Sequence, residues 1–153
     1  MTNEYQKMVL ALPADFFQDW VWQEGDKFLC HEPTKRSDKL PHNPIEYGWI
    51  IHTIGDHELY EGEIYKKDYE LAYKKRKDKI RPLPSQKQLL EIYKKKQGDQ
   101  FESLSLLWFA NWFEAKVTEY HSFCLKNRSS DCIVLMFVQE KCYNKKWDGK
   151  AWT

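Results

Sequence analysis

Seven consecutive apolar residues, Cys132–Val138, constrain this 153-residue chain more than any other feature of it. The run is far shorter than the roughly 20 apolar residues a helix needs to cross a bilayer. Its place is therefore a protein interior. The surrounding pattern predicts a helix over Asp131–Asn144, apolar on nearly every side, with Ser129 or Ser130 as its cap. Residues 101–115 behave alike: Phe101, Leu104, Trp108 and Trp112 form a stripe, and Leu106, Leu107, Phe109 and Phe113 fill in most of the rest. Two such helices bury each other or lend part of a face to a second subunit, so homodimerisation is left open. The length suits one globular domain over 1–153.

Other elements follow from local signals. Pro13 and Asp15 suit a first helical turn and predict a helix to about Trp22, which Gly25-Asp26 ends. Lys27–His31 reads as a short strand, and residues 33–44, with three prolines, as a loop. Tyr47–Ile54 is rich in β-branched and aromatic residues and predicts a second strand. His57–Tyr65 alternates weakly as a third, and Lys66–Lys79 has helical spacing. Arg81-Pro82-Leu83-Pro84 must break that helix. Ser85 followed by Gln88 matches a capping box for a helix ending near Gly98. Val117–Leu125 alternates like a strand. The class expected is α+β, with a small antiparallel sheet of about three to four strands and helices packed on one face.

Charge is distributed unevenly. Residues 66–96 carry 12 Lys/Arg against 4 Asp/Glu, residues 1–65 carry 5 against 12, and the remainder balances at 7 against 7. A net charge of +1 thus conceals a basic middle and an acidic front. Clustered cations suit phosphate backbones or acidic protein surfaces, and interleaved rings can stack on unpaired bases. Lys74, Lys75, Arg76, Lys77, Lys94, Lys95 and Lys96, with Tyr69 and Tyr73 beside them, are the candidate partner-binding residues. The plain alternative is a solvated helical face. Aromatic residues make up 16% of the chain, and rings left over from a core are available for a contact surface.

Catalytic signals are weak. There is no nucleophile-elbow motif and no glycine-rich phosphate loop, because the six glycines are isolated. His31, His42, His52, His57, His121 and the cysteines show no metal-ligand spacing, and on the expected strand His121 and Cys124 point to opposite sides. Cys30, Cys124, Cys132 and Cys142 lack a C-x-x-C pair and read as reduced thiols. Asp15 and Asp19, with His52 or His57, are the residues a small metal-dependent hydrolase would use, though acids near a helix start ordinarily complement its dipole. The expectation is a non-enzyme with no cofactor and no metal. Met1–Lys7 is polar and Met8–Leu12 is shorter than the apolar core of an export signal, so the expected workplace is the cytoplasm, away from membranes.

The chain closes on Trp147-Asp148-Gly149-Lys150-Ala151-Trp152, a turn signal between two tryptophans that should fold them back onto the preceding helix. A helix running into this W-[DN]-G-x-x-W ending resembles the tail of small proteins encoded by phages and prophages of Gram-positive bacteria. Arg81–Tyr93 is similar to their proline-led helix, with Arg81 in place of the usual aromatic. Leu12–Leu29 is similar to their opening. The resemblance implies a phage accessory protein and transfers no catalytic residue. A host protein or nucleoprotein complex is then the expected partner, with antagonism of antiviral defence, in the manner of an anti-CRISPR protein, as the leading role. Direct nucleic-acid binding in phage replication or regulation is the alternative.

Overall fold

The computed structural model describes residues 3–33, 47–55, 79–98, 105–127 and 129–153. They group into two compact units. One comprises Met1–Leu12 with Pro84–Thr153, and the other Pro13–Leu83. The class is α+β, with a three-stranded antiparallel sheet and four α-helices among the described residues.

The Pro13–Leu83 unit holds the sheet: β1 (Lys27–Pro33), β2 (Tyr47–Thr53) and β3 (Ile80–Pro82), in the order β2-β1-β3. The central strand β1 pairs antiparallel with both neighbours, Lys27 opposite Thr53 on one side and Phe28 opposite Pro82 on the other. Both strands expected at 27–31 and 47–54 are present. Strand β3 was not expected, because Arg81–Pro84 reads as a helix breaker. Proline is tolerated there because β3 is an edge strand and Pro82 is its last residue, where a missing N–H interrupts no ladder.

Aromatic rings organise this unit. Phe16, Phe17, Trp20, Trp22 and Phe28 form a chain of edge-to-face contacts with centroids 4.9–6.2 Å apart, and Phe28 stacks on His52 at 5.3 Å. Trp22, Phe28, Ile54 and Ile80 are buried together, with Trp20 and Cys30 packed against them. The helix expected from Pro13 to Trp22 is only a 3₁₀ turn over Ala14–Phe17. The rings at 16, 17, 20 and 22 are reached in sequence by a chain that leaves the helix after one turn. A regular helix would have sent Trp20 and Trp22 to opposite sides. A tight turn then leads into β1. Asp26 Oδ2 accepts from the Gln23 amide at 2.9 Å, and Gly25, at φ 78°, donates its N–H to the Ile54 carbonyl at 2.8 Å.

The other unit is helical: α1 (Asn3–Leu10), α2 (Gln86–Gln97), α3 (Ser105–Asn127) and α4 (Ser130–Tyr143). Helix α4 is its centre, with every residue from Cys132 to Gln139 buried. Phe137 meets Tyr93 at 4.7 Å, Phe109 at 5.4 Å and Trp112 at 5.4 Å. Helix α2 begins with the expected capping box: the Ser85 side chain accepts from the Gln88 amide, and the Gln88 side chain accepts from the Ser85 amide. It ends at Gly98, φ 84°. Ser129 occupies the N-cap of α4 without a side-chain cap bond, whereas Ser130 accepts a hydrogen bond from Gln86 at 2.6 Å.

The strand expected at Val117–Leu125 is the second half of α3, which runs 23 residues. The alternation there is coincidental, since Val117, Glu119 and His121 are all exposed. Burial instead follows a four-residue period through Trp112 and Tyr120, whose rings lie 5.8 Å apart, and Lys116 pairs with Glu119 at 3.0 Å along the helix. Helix α1 was missed altogether, although Tyr5, Met8 and Val9 carry its spacing and form its buried face.

The C-terminal turn forms as expected, but its indole hydrogen bonds go to α1 rather than to α4. Trp147 Nε1 donates to Glu4 at 3.1 Å, and Trp152 Nε1 donates to the Met8 carbonyl at 2.9 Å, one of the carbonyls a helix end leaves free. Asp148 Oδ1 accepts from the Lys150 and Ala151 amides at 2.8 Å each, and Gly149 takes φ 100°. The bonds from the Ala151 and Lys150 amides hold the Asp148 carboxyl below its ordinary value. That stabilisation is complete at neutral pH and is lost as pH falls through the lowered folded value. Replacing Asp148→Asn should therefore lower the melting temperature at pH 7, with the difference shrinking in acid; a pH-independent difference would contradict the assignment. In urea titrations, Phe137→Ala should cost about 3–5 kcal/mol and Ser85→Ala about 1 kcal/mol. The reverse ranking would remove Phe137 from the centre of the core.

Candidate anion-binding surface

Of the candidate partner-binding residues, Tyr69, Tyr73, Lys74, Lys75, Arg76 and Lys77 lie outside the described residues, as do the helix expected at 66–79 and the strand expected at 57–65. Lys94, Lys95 and Lys96 form the last turn of α2. Lys94 pairs with Glu91 at 3.2 Å, Lys95 is exposed, and the Lys96 ammonium sits 5.5 Å from the centre of the Tyr143 ring.

That last contact reveals how α2 and α4 are arranged. Gln86 bonds Ser130 at the start of both helices, Tyr93 meets Phe137 midway, and Lys96 meets Tyr143 at the end. Each pair is separated by 44 to 47 positions in sequence, so the two helices run side by side in the same direction. Their C-terminal ends coincide. Lys141 lies in the last turn of α4, and Lys145 and Lys146 follow the left-handed Asn144 that ends it. All three are exposed.

Lys141, Lys145 and Lys146 give no charge signal in the sequence because the last third of the chain is charge-balanced. The structure places the acids nearest them in sequence, Asp131, Glu140 and Asp148, in other contacts or at the far end of α4. Asp131 sits in the first turn of α4, about 18 Å along the axis from Tyr143 at 1.5 Å per residue. Glu140 lies 3.8 Å from Lys116, and Asp148 is occupied by its own turn. Among the described residues, Lys95, Lys96, Lys141, Lys145 and Lys146 form no ion pair with an acid. Two helix C-termini, each equivalent to about half a negative charge, are over-compensated by these lysines.

The residues considered for hydrolysis are not gathered. Asp15 and Asp19 are exposed in and just after the 3₁₀ turn, and His57 lies outside the described residues. His52 bonds Glu32 through Nε2 at 2.5 Å on the β1/β2 face, and His31 leans on Trp49 at 5.1 Å. His121 lies on helix α3, so strand alternation no longer describes its relation to Cys124. The described residues contain no group of three His, Cys, Asp or Glu placed to hold a metal ion. Among them no helix is long and apolar enough to cross a membrane. Comparison of the chain with protein-family models, with curated proteins and with solved structures returns no match.

Cys132 is buried, while Cys30 and Cys142 are half-buried, and all three are in the thiol form. Burial pushes the Cys142 thiol up to about 11, against the opposing pull of the Lys96 ammonium. At pH 8 the thiolate population is then far below that of an ordinary cysteine. Iodoacetamide should label Cys142 of the native protein far more slowly than of the urea-unfolded chain, and Lys96→Gln should slow it further. Equal native and unfolded rates would contradict the placement of Cys142 beside α2.

Proposed function

We propose that this chain is a non-enzymatic, phage-encoded accessory protein that binds and inhibits a host complex in the bacterial cytoplasm, most pointedly a nucleoprotein machine of antiviral defence. The carrying observation is the segregation of charge, 12 basic against 4 acidic residues within 66–96. A cluster of that size repels itself unless an anionic partner meets it. Lys94–Lys96, placed in the last turn of α2, supports the reading, because a surface carried on a folded helix is held ready for its partner. The W-D-G-x-x-W ending supports the phage origin. Trp147 and Trp152 are engaged in tying the chain's end to α1, which fits a motif kept for architecture.

The test is affinity capture from nuclease-treated host lysate, comparing the native chain with a variant carrying Lys74→Glu, Lys75→Glu, Arg76→Glu and Lys77→Glu. The native chain should retain a defined host complex and the variant should lose it. Retention of the same complex by both would overturn the proposal.

A further inference from the structure

We infer that the coincident C-terminal ends of α2 and α4 form a phosphodiester-binding surface, made of Lys94, Lys95 and Lys96 from one helix and Lys141, Lys145 and Lys146 from the other. This rests on the reading of the chain as a binder of an anionic host partner, and it names the chemistry of that partner as a nucleic-acid backbone. The parallel register of Gln86 with Ser130, Tyr93 with Phe137 and Lys96 with Tyr143 is what unites the two lysine groups. After Glu91 and the two helix ends are counted, the six lysines leave an excess of about four positive charges.

Three features favour phosphate over carboxylate. All six cations are lysine, a point charge on a flexible stem that follows phosphates without needing planar geometry, whereas planar carboxylates are paired best by arginine. Protein–protein interfaces are depleted in lysine, while nucleic-acid interfaces are far more positive. Packed helices also lie about 8–10 Å apart, close to the rise of two or three nucleotides at about 3.4 Å each along a strand. Lysines from the two helices therefore reach phosphates of one strand without distorting either partner. No base-edge donor fork stands among them, so the surface is indifferent to sequence.

The test uses the full chain and three fluorescein-labelled probes: a random 20-base-pair DNA duplex, a random 20-nucleotide single strand and a 20-residue polyglutamate. Binding is read by anisotropy across a salt series. The expected result is sequence-independent binding to one or both DNA probes with a log–log salt slope of about −4, and binding to polyglutamate at least tenfold weaker. The triple variant Lys141→Gln, Lys145→Gln, Lys146→Gln should lower the magnitude of that slope by about 2–3. The double variant Lys145→Gln, Lys146→Gln, both positions beyond the helix, should lower it by about 2 while keeping the native melting temperature. DNA binding with an unchanged slope in both variants overturns this surface and leaves the host-binding reading standing. Tighter binding of polyglutamate overturns the phosphate assignment in favour of an acidic protein, again leaving that reading. Failure to bind any probe overturns the phosphate assignment, and the lysate capture then decides the host-binding reading separately.

Discussion

The burial of Phe137 sets the geometry of the helical unit. Its ring touches Tyr93 on α2 and both Phe109 and Trp112 on α3, so one side chain at the middle of α4 fixes two neighbouring helices. Large rings bury roughly 150–250 Å² each, and four of them meeting at one point leave little freedom of register. With Tyr93 held there, the ends of α2 and α4 fall together: a serine and a glutamine at the start, a lysine over a tyrosine at the finish. Packing in the core thereby decides which surface charges become neighbours. The concentration of lysines at that end follows from an apolar contact about 9 Å away along the helix axis, six residues at 1.5 Å each.

The sheet unit uses rings in another way. Its edge-to-face chain from Phe16 to Phe28 links a 3₁₀ turn to the central strand, and Phe28 carries the contact on to His52 of β2. Indole and phenyl edges are suited to this because the ring quadrupole favours tilted pairs. The Glu32–His52 bond crosses from β1 to β2 on the same face. Cys30 lies between them on that face by strand alternation, packed toward Trp22 and Ile80.

Legibility in the sequence divided along physical lines. The capping box at Ser85–Gln88 and the stop at Gly98 rest on interactions within a few residues, and the strands at 27–33 and 47–53 and the buried Cys132–Val138 run are marked by their own composition, so local pattern exposes all of them. The failures came where distant packing overrode local pattern. Val117–Leu125 alternates, yet Trp112 and Tyr120 bury along one helical stripe. Arg81–Pro84 reads as a breaker, yet an open edge of β1 accepts Ile80–Pro82 as a strand. Half of the candidate surface was visible as Lys94–Lys96. The other half was hidden because Lys141, Lys145 and Lys146 are balanced in sequence by acids that the fold engages otherwise, Glu140 beside Lys116 and Asp148 within its own turn.

The lysine surface depends on α2 and α4 running in the same direction with their ends aligned. Nuclear Overhauser spectroscopy of the isotope-labelled chain measures this directly. The account requires cross-peaks between the Tyr93 and Phe137 rings, between Lys96 and the Tyr143 ring, and between Gln86 and Ser130. Cross-peaks joining Lys96 to Ser130 instead, with none to Tyr143, would mean that the helices are antiparallel and that no shared basic end exists.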